Sequence, residues 1–130
     1  MDFIHLIVLL ALAQYVWFGI QVGGARGRSG IKAPAMSGDP ELERRIRVHY
    51  NTMELLVVLI PSLYIFALFV HQWTAVALGA VYLIGRLIYA RSYVKDPATR
   101  EVGFGLSFFP IGLLLVGAIG GVVWHLFQSA

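Results

Sequence analysis

Arg47, Asn51 and Glu54 fall at i, i+4 and i+7, with Arg44 one turn before them, so on a helix they form a stripe down a single face. A guanidinium, an amide and a carboxylate in line on a helix that enters an apolar stretch form a polar constellation that needs explaining, although a solvated helix end accounts for Glu43, Arg44 and Arg45. Glu54 is followed directly by Leu55-Leu56-Val57-Val58-Leu59-Ile60. That places an ionisable group at the edge of an apolar stretch, where it is costly and by default marks a functional site. A structural pair between Glu54 and Arg47 is the other reading. His49 lies off the stripe, about 200° from Arg47 and toward a neighbouring face.

Tyr82, Arg86, Tyr89 and Tyr93 make a second stripe at i, i+4, i+7 and i+11. An aromatic belt accounts for Tyr82 without any site. Tyr89 and Tyr93 fit a belt or a site equally, and Arg86 is either a snorkelling anchor or a partner facing the interior. Arg100 stands in the first turn or so of a helix expected to begin at Pro97, where a cation opposes the helix dipole. A site that concentrates positive potential would accept this penalty. A guanidinium beside a helix N-terminus attracts an anion and lowers the pKa of a nearby thiol, whose thiolate is the nucleophile. Contact with lipid phosphates is the alternative reading of Arg100.

The elements that must carry these residues follow from the charge distribution. All ten Lys and Arg residues lie in two short stretches, Arg26 to Arg47 and Arg86 to Arg100, and no Asp, Glu, Lys or Arg occurs in Phe3–Ala25, Leu55–Gly85 or Val102–Ala130. A span needs about 20 mostly apolar residues, and a chain that is 58% hydrophobic and 13% charged supplies several. The middle run is too long for one span, and His71-Gln72-Trp73 at its centre reads as a turn at a membrane surface. The expectation is an all-α, integral membrane four-helix bundle with spans at about 3–24, 40–70, 73–94 and 97–127. Both basic stretches then lie on one side, and the termini and the His71 turn, which carry no Lys or Arg, lie on the other. The excess of Lys and Arg makes the basic side cytoplasmic.

The 130 residues are expected to form one domain, 1–130. Met1-Asp2-Phe3-Ile4-His5 lacks the basic start and small-residue cleavage site of a signal peptide, so the first apolar stretch reads as a span. The absence of Cys means that any thiol chemistry uses a thiol from the substrate, and it excludes a Cys-ligated metal. The net charge of +3 is accounted for by juxtamembrane residues, and no nucleic-acid recognition motif is present. Gly23 to Asp39 reads as a flexible loop ending in a helix start, with Asp39 at the N-cap, Pro40 at the first position, and Glu41 and Glu43 in the first turn. A helix from Pro40 to Val70 would be about 46 Å long, so its first third stands out of the hydrocarbon. Pro61 and Pro110 are expected to kink their helices. Gly117 to Gly121 is a small-xxx-small step suited to close helix packing.

These residues, taken together, resemble a known family. The segment Glu43-Arg44-Arg45-Ile46-Arg47-Val48-His49-Tyr50-Asn51-Thr52-Met53-Glu54, with its ERxxRxxxNxxE pattern, is followed by Gly85-Arg86-Leu87-Ile88-Tyr89-Ala90-Arg91-Ser92-Tyr93 and by Asp96-Pro97-Ala98-Thr99-Arg100. In sequence and spacing this is similar to MAPEG, the membrane-associated proteins in eicosanoid and glutathione metabolism. The resemblance implies homotrimers of four-helix subunits with glutathione, a co-substrate, bound between neighbours near the cytoplasmic face. It assigns Arg47, Asn51, Glu54, Tyr89 and Tyr93 to glutathione. Arg26 resembles an arginine that reaches the ligand from the next subunit, and His49 holds a position often occupied by a glutamine that also contacts it. Arg100 matches the arginine that stabilises the thiolate.

The implied activity is a membrane-bound glutathione transferase or peroxidase acting on a hydrophobic electrophile that arrives from the bilayer, in detoxification and without a metal. Leu55 replaces a tyrosine, and Gly27 replaces one of two consecutive arginines, of the family's leukotriene-forming member, which argues for a broader transferase. One rival is a non-catalytic, lipid-presenting member; retention of Arg47, Asn51, Glu54 and Arg100 speaks against it. A four-helix multidrug transporter would place its essential acid in the first helix, where no acid follows Asp2. A compact chain without an evident retention signal suggests a bacterial inner membrane.

Overall fold

The computed structural model describes residues 1–130. Four helices account for almost all of them: α1 (Asp2–Ser29), α2 (Pro40–Phe69), α3 (Gln72–Lys95) and α4 (Glu101–Ser129), with a single 3-10 turn at Pro97–Thr99. Each is long and apolar enough to cross a membrane, and α2, at 30 residues, is about 45 Å long. α2 and α3 each pack against the other three helices, while α1 and α4 pack chiefly against those two. The result is a bundle with α2 and α3 across its centre and α1 and α4 on opposite flanks.

Local chemistry explains most boundaries. Asp39 Oδ2 accepts the backbone N–H of Leu42 at 3.0 Å and Pro40 opens α2, as the sequence implies. His71 caps α3 in the same manner, with its ring accepting the N–H of Thr74 at 3.1 Å. Two boundaries differ from expectation. α1 continues through the glycines to Ser29, so the loop is only 30–39; Ala25 is buried against Leu42 and Ile46, and Gly30, at φ 75°, closes the helix in the left-handed region. α4 begins at Glu101 and not at Pro97. Asp96 turns its side chain onto the N–H of Ala98, Thr99 Oγ1 donates to the carbonyls of Ser92 and Asp96, and the 3-10 turn ends before α4 starts. Arg100 is therefore the residue that precedes α4, not a member of its first turn.

The interior is a column of buried side chains that includes Ile4, Ala11, Leu59, Leu63, Tyr82 and Leu114. Outside it, large apolar residues such as Leu9, Val57, Leu68, Phe109 and Val116 are all at least 63% exposed. A water-soluble surface does not carry so many, whereas lipid accepts them. The protein is an integral membrane protein. Helices α2 and α4 run through Pro61 and Pro110, and Gly117 and Gly121 face Phe66 and Phe69 of α2 and Val70 just beyond it, so the small-xxx-small step serves packing within the chain.

The closest approach is between α3 and α4. A Cβ on Gly103 would collide with the backbone of Tyr89, and one on Gly85 would lie 2.6 Å from the Leu106 backbone. Gly112 faces open space. Gly103→Val is expected to separate the two helices and abolish a stable monodisperse protein, whereas Gly112→Ala should leave stability unchanged or raise it by up to about 1 kcal/mol. Thermal unfolding of the detergent-solubilised variants checks both.

Candidate active site

The α3–α4 contact sets the Tyr stripe against the start of α4, and the stripe on α2 faces both. Arg47, Asn51, Tyr89, Tyr93, Arg100 and Phe104 line one groove of about 370 Å³ at the basic end of the bundle. A neighbouring hollow continues it past Arg47 and Tyr93 to Glu43, Arg44 and Pro40. Tyr89 and Tyr93 stack with ring centroids 5.5 Å apart, and Phe104 closes on Tyr89 at 6.1 Å. Phe104 in turn stacks on Phe108, which is half exposed, so an aromatic lane leads from the groove down the outer face of α4.

Arg100 stands at the mouth of this groove. Its Nη1 donates to the carbonyl of Pro97 at 3.1 Å, a bond that anchors the side chain within its own turn. The start of α4 has no side-chain cap. Its free N–H groups and the guanidinium therefore add their positive potential at one place, with Glu101 as the only acid in that turn. Such a place favours an anion.

The floor of the groove is organised by Arg86, which the sequence left between two roles. It faces the interior and is fully buried. Its Nη1 donates to Asn51 Oδ1 at 2.8 Å and to Thr52 Oγ1 at 3.2 Å, its Nε donates to Ser107 Oγ at 3.1 Å, and its guanidinium carbon lies 4.2 Å from the centre of the Tyr89 ring. Thus one side chain joins α2, α3 and α4. With Oδ1 of Asn51 committed to Arg86, the amide NH₂ is left as the donor for anything else that Asn51 meets.

Three expected site residues lie outside the groove. Glu54 reaches Arg47 at 3.8 Å, but both side chains are more than half exposed, so the pair is loose and of small energetic value. His49 turns to the other side of α2 and stacks on Tyr15 of α1, with centroids 4.4 Å apart. Arg26 donates to the carbonyl of Ala35 at 2.7 Å and binds down the loop after α1. The resemblance has Arg26 reach the ligand from a neighbouring subunit and has His49 contact it; in the single chain both lie apart from the groove. Arg44, one turn before Arg47 on the stripe, caps α3 by donating to the carbonyls of Val94 and Lys95. Arg28 makes a two-pronged pair with Glu41 at 3.0 and 3.1 Å, and Arg45 joins the same carboxylate, tying the end of α1 to the start of α2.

The model of the MAPEG family matches residues 4–120. The chain belongs to the MAPEG family. It is 36% identical over 113 residues to human microsomal glutathione S-transferase 2, covering 86% of this chain and 77% of that one. Bovine leukotriene C4 synthase is 29% identical over 119 residues, covering 92% and 79%. An uncharacterized protein of Synechocystis is 41% identical over 123 residues, covering 95% and 90%.

Two contributors to this MAPEG groove were beyond sequence reasoning. Phe104 and Ser107 depend on the register of α4 against α3, which Gly85 and Gly103 fix through backbone contact. Arg86 was on the right stripe, but only the packed bundle reveals its partners. Arg86→Leu strands the Asn51 carbonyl and removes the link between three helices; it is expected to lower stability by about 2–4 kcal/mol, against about 1 kcal/mol for Ser107→Ala. Unfolding of the two variants, side by side in one detergent, makes that comparison. Equal losses would contradict the organising role of Arg86.

Proposed function

We propose that this protein is a membrane-bound glutathione transferase, with peroxidase capacity, in which the groove holds glutathione and Arg100 stabilises its thiolate. Family membership and the relatives named as glutathione transferases support use of this co-substrate. The single observation that carries the site assignment is the meeting of Arg47, Asn51, Tyr89, Tyr93 and Arg100 around one groove. Its volume lies within the usual range for small-molecule sites, about 300–1,000 Å³.

The residues fit the ligand. Glutathione carries two carboxylates, an ammonium, two amides and a thiol. Arg47 suits a carboxylate, Glu54, outside the groove but 3.8 Å from Arg47, suits the ammonium, and the Asn51 amide and the two phenols suit the peptide groups. Arg100 and the uncapped start of α4 favour the thiolate over the thiol, and the released proton passes to solvent. With an aryl chloride as the electrophile, the thiolate sulfur forms a bond to the ring carbon and chloride leaves with its electron pair. With a lipid hydroperoxide, the thiolate attacks the distal oxygen, the O–O bond breaks to give the alcohol, and a second glutathione converts the resulting sulfenic acid to the disulfide with loss of water. Phe104 and Phe108 provide the apolar approach for either substrate.

The assembly we propose is a homotrimer in the inner membrane of a bacterium, with the basic end cytoplasmic. Exposure of Glu54 between exposed Met53 and Val57 supports a neighbour over this face, because a carboxylate left facing lipid is costly. The same neighbour would bring its own Arg26 and His49 to the ligand.

Glutathione should bind the solubilised protein in calorimetry, and a generic aryl chloride should be conjugated. Arg100→Ala should reduce kcat by roughly 10²–10³-fold while the protein stays folded. Unchanged turnover in that variant would remove Arg100 from the mechanism, and no binding at millimolar glutathione would favour a non-catalytic lipid-binding role. Because the chain has no Cys, Ser37→Cys and Ser129→Cys report topology cleanly. In intact cells an impermeant maleimide should label Ser129→Cys and spare Ser37→Cys; the reverse pattern would invert the bundle.

A further inference from the structure

A second hollow, of about 430 Å³, lies between α1 and α3 at the basic end. It shares no residue with the groove. Trp17 and Gln21 of α1, Arg45 of α2, and Leu87, Arg91 and Lys95 of α3 line it. Arg91 and Lys95 are one turn apart on the same face of α3, and neither makes an ion pair or a side-chain hydrogen bond. Like charges at that spacing repel, so the pair is destabilising until an anion joins it. Arg45 uses Nε on Glu41, a carboxylate that Arg28 already holds in two prongs, and its outer nitrogens remain available. The hollow is therefore strongly cationic.

Its lower wall is apolar and open. Trp17 is 53% exposed, Leu87 51% and Ile84, one turn further along α3, 57%. Read along α3 from Ile84 to Leu87, Arg91 and Lys95, the surface passes from bare aliphatic side chains to bare cations within about 17 Å. An indole stands on the opposite wall, the residue type that prefers the boundary between headgroups and hydrocarbon. The sequence of chemistries matches an amphiphile standing in the bilayer with its anionic head toward the basic end. A soluble anion would use the cations and leave the apolar wall without a purpose.

We propose that the α1–α3 hollow binds the headgroup of an anionic phospholipid, with Arg91 and Lys95 on the phosphate and Trp17, Ile84 and Leu87 against the first part of the acyl chains. The site is independent of the groove and of what the groove binds. Because it clamps α1 to α3, it holds the flank of the bundle that has the fewest partners within the chain.

Native mass spectrometry of the detergent-solubilised protein, titrated with phosphatidylglycerol or phosphatidylcholine, tests this. Phosphatidylglycerol should be retained in preference to phosphatidylcholine. The double variant Arg91→Gln/Lys95→Gln should lose that preference by roughly thirtyfold, while Lys32→Gln, an exposed loop cation, should keep it. Equal retention of the two lipids, or unchanged retention in the double variant, would overturn the proposal. Displacement of the lipid by millimolar inorganic phosphate would reassign the site to a free anion. A changed number of subunits in the double variant would instead make this face a contact between copies.

Discussion

The buried guanidinium of Arg86 is the constraint on which the site depends. A charge at the centre of three membrane helices is expensive and persists only where polar groups meet it. Here no carboxylate meets it; an amide and two hydroxyls take Nη1 and Nε, the guanidinium lies against the face of Tyr89, and Nη2 is left without a partner. Asn51 and Thr52 share one turn of α2, Ser107 stands on α4 and Tyr89 on α3 beside Arg86 itself, so meeting the cation ties the relative rotation of three helices together. The glycines at 85 and 103 permit the approach of α3 and α4 that brings Ser107 within reach.

This arrangement has a chemical consequence at the surface of the groove. Arg86 occupies the acceptor of Asn51 and leaves its donors, and it lies under the Tyr89 ring that stacks with Tyr93. The groove above thus presents donors and cations from all sides, with Arg100 and the start of α4 as the most positive corner. A ligand rich in carboxylates and amides matches that surface, and an ionised thiol matches the corner. Arg26 on α1 and His49 on the other side of α2 lie apart from this groove, and in the proposed trimer a neighbouring copy would bring them to the ligand, which would link function to assembly.

Much of this was legible in the sequence. Runs without charge marked the four helices, the Asp39-Pro40 pair marked the start of α2, and the spacing of Arg47 and Asn51 and of Tyr89 and Tyr93 put each pair on one face. The misreadings have local causes. Glycines at 23, 24 and 27 suggested a loop, but burial of Ala25 against Leu42 and Ile46 extends α1 across them. Asp96-Pro97 suggested the start of a long helix, yet the side chains of Asp96 and Thr99 stabilise a separate 3-10 turn, which moves Arg100 from inside a helix to its threshold. What spacing cannot supply is contact between helices: the partners of Arg86, the place of Phe104 and the stacking of His49 on Tyr15 all depend on register.

The central claim is that this groove binds glutathione and holds it as the thiolate. Ultraviolet difference spectroscopy of the solubilised protein with glutathione at neutral pH measures it directly, because the thiolate absorbs where the thiol does not. The expected result is a saturable thiolate band that is lost in Arg100→Ala, whose glutathione still binds. Glutathione that binds fully as the thiol in the unsubstituted protein would contradict the account.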